Sequence, residues 1–114
     1  MRDARDPTLR LATYGTLAPG QPNHHQVEDL GGRWLMGTVR GRLGQIGWGA
    51  ALGYPGLTLA EDGEDVTVQL LESPLLPAHW VRLDAFEGPS YRRVSITVST
   101  DEGPLAAFIY EALR

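Results

Sequence analysis

Residues 11–23 read Leu-Ala-Thr-Tyr-Gly-Thr-Leu-Ala-Pro-Gly-Gln-Pro-Asn, a short apolar run that breaks into a loop rich in glycine and proline. β-Forming residues that end at Gly15 predict a strand whose last residue leads into a turn. Strand pairing stops there and glycine lets a ligand approach the backbone, so the loop presents several N–H groups side by side. We therefore expect this loop to bind a carbonyl, a carboxylate or a developing oxyanion.

A carboxyl group in the second half of the chain is placed where proton transfer can be expected. Residues 77–87 predict the best helix of the chain, with proline in its first turn and Gly88 just past its end. The apolar stripe of this helix carries Glu87 at its inner end, beside Trp80, Leu83 and Phe86. An acid on a buried stripe is costly unless it has a partner or a purpose, and burial and the negative end of the helix dipole both disfavour its ionised form. Glu87 is therefore a candidate for proton transfer near neutral pH.

Several short motifs follow one another along the chain. They are Tyr14-Gly15-Thr16-Leu17, Gly20-Gln21-Pro22-Asn23, Gly53-Tyr54-Pro55-Gly56, Leu83-Asp84 with Glu87-Gly88, and finally Tyr91 with Arg93. In this order and spacing, over residues 9–111, they resemble the gamma-glutamylcyclotransferase-like family, and more closely its short gamma-glutamylamine cyclotransferase-type branch. The resemblance implies an enzyme without a cofactor: the α-amine of a gamma-glutamyl compound attacks its own γ-carbonyl, giving 5-oxoproline and releasing the attached amine.

The resemblance also implies roles for individual residues. Glu87 would be the catalytic residue, moving a proton from the α-ammonium group to the leaving nitrogen. The substrate-binding residues would be Tyr14, Gly15, Thr16, Leu17, Tyr54, Tyr91 and Arg93. The loop at Gly15 would hold either the oxyanion of the tetrahedral intermediate or the α-carboxylate, and the sequence leaves both open.

Each of these residues also has a purely structural interpretation. Tyr14 could be a core aromatic at the end of a strand, and Glu87 could be a surface acid paired with a neighbouring arginine. Tyr54 could simply shape a turn. Tyr91 and Arg93 could be outer-face strand residues, because side chains alternate along a strand.

The composition is that of one globular domain. The 114 residues suffice for a single core, and 42% hydrophobic with 21% charged residues is ordinary for a globular protein. We expect one domain over residues 8–114, preceded by a flexible lead-in over residues 1–7. The 14 glycines and 8 prolines are scattered, which favours short strands and many turns over a helical bundle.

Periodicity predicts about six short strands and two short helices. Besides the strand before Gly15, we predict strands over residues 33–43, 57–59, 66–72, 91–100 and 105–110, and helices over residues 23–30 and 77–87. The glycines in the first of these strands suit a strand that bends sharply, as barrel strands do. The predicted fold is α+β, a small mixed β-barrel of about six strands, closed or nearly closed, with two short helices on its outside. The family resemblance implies the same fold.

Several kinds of partner are not expected. The net charge is −4 and no basic run is present, so the charge pattern of a nucleic-acid binder is missing. No run approaches the roughly 18 apolar residues of a membrane span and no signal-peptide pattern is present, so we expect a cytoplasmic protein. The chain has no cysteine, and its 3 histidines show no metal-ligand spacing. We expect no metal, no cofactor and a small gamma-glutamyl molecule as partner; the sequence predicts no oligomeric state.

Two other classes of function compete with the enzyme. A non-catalytic small barrel could use the same loop to bind a small carboxylate or a gamma-glutamyl ligand, and an interaction module would need an exposed apolar patch. Glu87 on the buried stripe favours the enzyme. The sequence departs from the family pattern at Thr67-Val68-Gln69 and at residues 44–51, which would reshape the pocket. The leaving group therefore stays open among gamma-glutamyl amines, gamma-glutamyl amino acids and glutathione.

Overall fold

A computed structural model describes residues 3–44 and 56–113, so Tyr54 and the rest of its predicted motif up to residue 55 lie outside the described residues. Within these ranges the regular elements are β1 (Arg10–Thr13), β2 (Arg33–Gly44), β3 (Gly56–Leu59), β4 (Glu64–Glu72), α1 (Trp80–Glu87), β5 (Tyr91–Thr100) and β6 (Gly103–Ala112). Short 3-10 turns lie at Pro7–Leu9, His24–Gln26, Glu28–Leu30 and Leu76–Ala78.

Five of these strands close into a barrel. Along the sheet the order is β3-β2-β4-β1-β6-β5, and β5 pairs back with β2. The β1–β6 pair is parallel, and the other pairs among the described strands are antiparallel. Strand β3 pairs with β2 and adds a sixth strand to the sheet. The prediction of a small mixed β-barrel with short helices on its outside is confirmed.

The barrel closes through a short contact between β2 and β5. Only Gly37 with Thr100 and Thr38 with Ser99 are paired among the described residues of these two strands. A Cβ on Gly37 would lie 2.8 Å from the Ser99 carbonyl oxygen, so a side chain there would push the strands apart. Glycine at this position therefore permits the close approach that completes the barrel.

Apolar side chains pack in two layers, one inside the barrel and one outside it. The inner core includes Ala12, Val68, Leu70, Val98, Ala107 and Ile109. The outer core joins α1 and the 3-10 turns to the barrel wall and includes Leu11, Leu17, Val27, Leu71, Leu83 and Tyr110. Successive residues of a strand thus point into opposite layers, as strand geometry requires. This alternation places α1 on the outside of the wall that β6 helps to form.

The helix predicted over residues 23–30 is instead two consecutive 3-10 turns. Val27 lies between the turns with a φ of −129°, outside the helical range, and both Val27 and Leu30 are buried. Apolar residues three positions apart suit the three-residue repeat of a 3-10 turn, which brings both onto one face. The other predicted helix begins later than expected, at Trp80, because a 3-10 turn precedes it. No helix in the described ranges is long and apolar enough to span a membrane.

A buried arginine ties the N-terminal segment to the barrel. Arg10 is 0% exposed, and its Nε donates to Glu72 Oε2 at 2.8 Å. Its terminal nitrogens donate to the carbonyl oxygens of Asp3, Asp6 and Ala106 at 3.0–3.1 Å. The guanidinium is therefore desolvated but well paired, which is the condition under which a buried charge is tolerated.

Arg10→Met should lower the free energy of unfolding by about 3 to 5 kcal/mol, because it removes a fully buried guanidinium that pairs with Glu72 and donates to three carbonyl oxygens. Urea denaturation of the variant and the wild type measures the difference. Arg40→Met is the matched control: Arg40 pairs with Asp65 at 3.1 Å, but the two side chains are 60% and 69% exposed. Its loss should cost at most about 1 kcal/mol, and equal effects of the two substitutions would contradict the role given to Arg10.

Candidate active site

The two predicted halves of the site meet at one end of the barrel. Tyr14 directly follows β1, Glu87 is the last residue of α1, and Tyr91 is the first residue of β5. Their charges affect one another: burial raises the pKa of the Tyr14 hydroxyl most, a hydrogen bond from the Leu57 backbone lowers it, and Tyr91, Glu87 and Glu111 raise it further. Residues far apart in the sequence thus lie within electrostatic reach of Tyr14.

Glu87 carries a carboxyl group suited to proton exchange at neutral pH. Burial raises its pKa from 4.5 to about 7. The helix ends directly after it, since Gly88 adopts a φ of 76° and donates its N–H to the Asp84 carbonyl oxygen at 3.0 Å. A carboxyl group whose pKa is near the ambient pH can both accept a proton and return it.

The raised pKa of Glu87 predicts a pH dependence of stability that Glu87→Gln removes. The folded state holds this proton more tightly than the unfolded chain, so this group makes the free energy of unfolding fall as the pH rises from about 4.5 to about 7. The free energy of unfolding of Glu87→Gln, relative to that of the wild type, should therefore rise by up to about 3 kcal/mol between acidic and neutral pH. Denaturant unfolding of both proteins at pH 4 and pH 8 measures this gain, and a difference that does not change with pH would contradict the raised pKa.

The loop after β1 uses its carbonyl groups internally. The carbonyl oxygens of residues 15–17 lie 2.9–3.3 Å from the N–H groups of Ala18 and Asn23 and from Nδ1 of His24. Among the described residues, in contrast, no backbone carbonyl accepts a hydrogen bond from the N–H groups of Thr16 and Leu17. The side chains of Thr16 and Leu17 are buried and hold the backbone in place. Two adjacent N–H groups without a described backbone acceptor thus follow β1.

The Tyr14 hydroxyl links the end of β1 to β6. It donates to the Tyr110 carbonyl oxygen on β6 at 2.8 Å, while the side chain packs against the inner core. Tyr14 therefore combines a core position with a fixed place near Glu87, and it fixes the first residue of the loop that follows.

Arg93 lies on the outer face of β5, against α1. Its Nε donates to Asp84 Oδ1 at 2.8 Å and its Nη2 to Asp84 Oδ2 at 3.2 Å, which makes a bidentate ion pair. Its guanidinium carbon lies 4.9 Å from the ring centroid of Trp80 and 4.5 Å from that of Phe108. Arg93 thus anchors the last turn of α1 to the barrel wall, and a substrate contact would compete with this pairing.

Three polar residues beside the site were not singled out from the sequence as site residues: Asp84, Tyr110 and Glu111. The Tyr110 hydroxyl donates to Asp84 Oδ1 at 2.7 Å, and the buried Glu111 accepts the Leu59 N–H at 2.8 Å. Only Asp84 carries a sequence signal, because it lies three residues before Glu87 and therefore on the same helix face. Across the described ranges, no group of three or more histidine, aspartate and glutamate side chains could hold a metal ion.

Two cavities flank these residues. One, of about 310 Å³, is lined by Asp84, Tyr91, Arg92, Arg93 and Tyr110. The other, of about 200 Å³, is lined in part by Tyr14, Gly15, Thr67 and Gln69. Thr67 and Gln69 belong to the segment in which the sequence departs from the family pattern. They border the loop at Gly15, so this departure can affect the shape of the cavity.

The chain matches a family model and several solved structures. The model described as "Gamma-glutamyl cyclotransferase, AIG2-like" matches residues 11–114. The fold is similar to that of YkqA from Bacillus subtilis, with a TM-score of 0.69 and 27% identity, over 90% of this chain and 35% of that one. This chain therefore spans about a third of the length of the Bacillus subtilis protein. No curated protein sequence matches the chain significantly.

Two further similar structures are matched over most of their length. An AIG2-like protein from Mus musculus has a TM-score of 0.67 and 26% identity, over 94% of this chain and 78% of that one. The protein PH0828 from Pyrococcus horikoshii has a TM-score of 0.57 and 25% identity, over 91% of this chain and 77% of that one. The barrel and its outer helix are therefore a fold that these proteins share.

Proposed function

This chain belongs to the gamma-glutamyl cyclotransferase, AIG2-like family, and on this premise we propose that it converts a gamma-glutamyl amine, or a related gamma-glutamyl conjugate, to 5-oxoproline and a free amine. Family membership supports a gamma-glutamyl cyclotransferase-type activity in general. The observation that carries the specific proposal is Glu87, a half-buried carboxyl group with a pKa of about 7, near Tyr14 at one end of the barrel.

The proposed reaction needs no nucleophile from the protein. Glu87 in its ionised form takes a proton from the substrate's α-ammonium group, and the freed amine attacks the γ-carbonyl carbon. A bond between the α-nitrogen and the γ-carbon forms, and the bond between that carbon and the leaving nitrogen breaks. Glu87 returns the proton to the leaving nitrogen, which therefore departs as a neutral amine, and the carboxylate is restored. The ring nitrogen, which keeps one hydrogen in 5-oxoproline, releases its other proton to the solvent.

The backbone donors of the loop provide the second element of the mechanism. The N–H groups of Thr16 and Leu17 would hold either the oxyanion of the tetrahedral intermediate or the α-carboxylate of the substrate. In the first role they would stabilise charge that develops during the reaction, and such donors are commonly worth a few kcal/mol each. In the second they would fold the substrate so that its amine meets its carbonyl. Tyr14 and Gly15 would contact the substrate from the cavity of about 200 Å³, and Tyr91 from the cavity of about 310 Å³.

The leaving group would occupy space near the last turn of α1. The cavity of about 310 Å³ there is lined by two tyrosines, two arginines and Asp84. Such a lining can accommodate a polar amine. The resemblance to the gamma-glutamylamine branch favours an isopeptide-type amine over a gamma-glutamyl amino acid.

Mass spectrometry of 5-oxoproline tests the proposal directly. The protein is incubated with the gamma-glutamyl isopeptide of a lysine side chain, a gamma-glutamyl amino acid and glutathione. We expect 5-oxoproline and the free amine in equal amounts from the isopeptide. The control is the same isopeptide acetylated on its α-nitrogen, which has no attacking amine and should give no product. Absence of 5-oxoproline from all three substrates would contradict the proposal and favour a binding protein for a small carboxylate, which calorimetry would then detect.

A further inference from the structure

Tyr110 connects the two halves of the site. Its backbone carbonyl accepts the Tyr14 hydroxyl at 2.8 Å, and its own hydroxyl donates to Asp84 Oδ1 at 2.7 Å. Tyr14 immediately precedes the donor loop, and Asp84 lies three residues before Glu87 in α1. We propose that Tyr110 is a positioning residue that fixes Glu87 relative to the loop, an inference that rests on the proposed function.

The last turn of α1 needs such support. The helix has only 8 residues, and Glu87 is its final residue. Terminal turns lack part of their backbone hydrogen bonding and fray unless side chains hold them. Trp80 and Leu83 are buried and anchor the earlier part of the helix. Beyond them, the hydrogen bonds to Asp84 tie the last turn to β5 through Arg93 and to β6 through Tyr110.

At neutral pH the charge states of Asp84 and Tyr110 favour the hydrogen bond between them. Burial works to raise the pKa of Asp84, but hydrogen bonds from Arg93 and Tyr110 outweigh it, so the pKa of Asp84 is lowered and the group stays ionised. Burial and the bond to Asp84 raise the pKa of Tyr110 above its ordinary value, so its hydroxyl stays protonated. A protonated hydroxyl facing a carboxylate is a charge-assisted hydrogen bond, stronger than a neutral one.

Tyr110 is also close to the catalytic group itself. The charge of Glu87 is one of the causes that raise the pKa of Tyr110, as it is for Tyr14. Glu87 must reach two nitrogen atoms of the substrate in turn, so a small displacement of its carboxyl group is expected to slow the reaction. A misplacement of about 1 Å can cost roughly a hundredfold in rate.

Tyr110→Phe tests the proposal because it removes the hydroxyl and keeps both the ring and the carbonyl that holds Tyr14. We expect kcat to fall roughly 10- to 100-fold with KM changed less than about threefold. The acidic limb of the kcat/KM profile, set by Glu87, should move to lower pH, because a loosened last turn admits water to the carboxyl group. A variant that was only less stable would keep the position of this limb.

Ser73→Ala is the matched control, since it also removes a hydroxyl that donates a hydrogen bond, in this case a buried one, to the carbonyl oxygen of Leu30 at 2.8 Å. It should leave both kcat and the pH profile unchanged. Asp84→Asn is the second variant if Tyr110→Phe does not fold, because it weakens the same bond from the other side. When both fold, their effects on kcat should be strongly non-additive, since each disrupts the same link.

A carboxyl NMR titration of Glu87 separates this inference from the proposed function, because it needs no substrate. In Tyr110→Phe the pKa of Glu87 should move from about 7 toward its ordinary value of 4.5. A titration identical to that of the wild type, or unchanged kcat, would overturn the positioning role. Absence of turnover in the wild type would overturn the proposed function, and the titration would then decide whether Tyr110 still controls the environment of Glu87.

Discussion

Glu87→Gln should lower kcat for cyclisation by about a thousandfold while the fold stays intact, because glutamine keeps the volume of the side chain but cannot carry the proton. Without a carboxylate to accept its proton the α-ammonium group stays charged and cannot attack, and without a carboxylic acid to protonate it the leaving nitrogen cannot depart as an amine. KM should change little, since the substitution leaves the loop donors and the cavity in place. Steady-state kinetics with 5-oxoproline as the detected product measures the loss.

Two further variants make this result specific. Glu61→Gln applies the same chemical change to an exposed acid in the turn between β3 and β4, and it should keep wild-type kinetics. Glu87→Asp keeps the carboxylic acid but withdraws it by one methylene, so its kcat should lie between those of the wild type and Glu87→Gln. If Glu87→Gln keeps more than about a tenth of the wild-type kcat, the proton shuttle is not Glu87, because a lost general acid–base costs at least roughly a hundredfold.

The sequence predicts those parts of the fold in which buried residues recur at the regular spacing of a strand or a helix. Alternation in residues 91–100 assigns Val94, Ile96 and Val98 to one face, and in the structure Val98 belongs to the inner core while Val94 and Ile96 pack against it. The order of the strands in the sheet cannot be predicted from this spacing, because the parallel pairing of β1 with β6 joins residues almost a hundred positions apart. The prediction of one helix over residues 23–30 is wrong, since the spacing of Val27 and Leu30 fits a 3-10 turn as well as an α-helix.

The candidate site was predictable where one residue conflicts with its own local pattern. Glu87 stands out as an acid on an apolar stripe, and Gly15 as a glycine just after a run of strand-forming residues; the strand itself ends two residues earlier, at Thr13. Tyr110 gives no such signal, because a tyrosine in a strand is ordinary and its importance arises from Asp84 on another element. The role of Arg93 is equally hard to predict. Strand alternation places it on the outer face of β5, but its ion-pair partner, Asp84, lies on α1.

Gly15→Val should lower kcat/KM by about a hundredfold in a protein that folds normally. Gly15 does not adopt a positive φ, and a Cβ at this position meets no described atom within 4 Å, so the backbone tolerates a side chain. The valine would instead occupy the space beside the loop donors, where the proposed substrate binds. Losing the use of one such donor costs roughly a hundredfold or more, and Gly15→Ala, with its smaller side chain, should have an intermediate effect.

The division of this loss between kcat and KM indicates what the loop binds. If its N–H groups stabilise the oxyanion, kcat should fall with little change in KM, because the interaction exists only in the transition state. If they hold the α-carboxylate, KM should rise instead, because substrate and transition state then lose the same contact. Wild-type kcat and KM in a folded Gly15→Val would remove the loop from the mechanism.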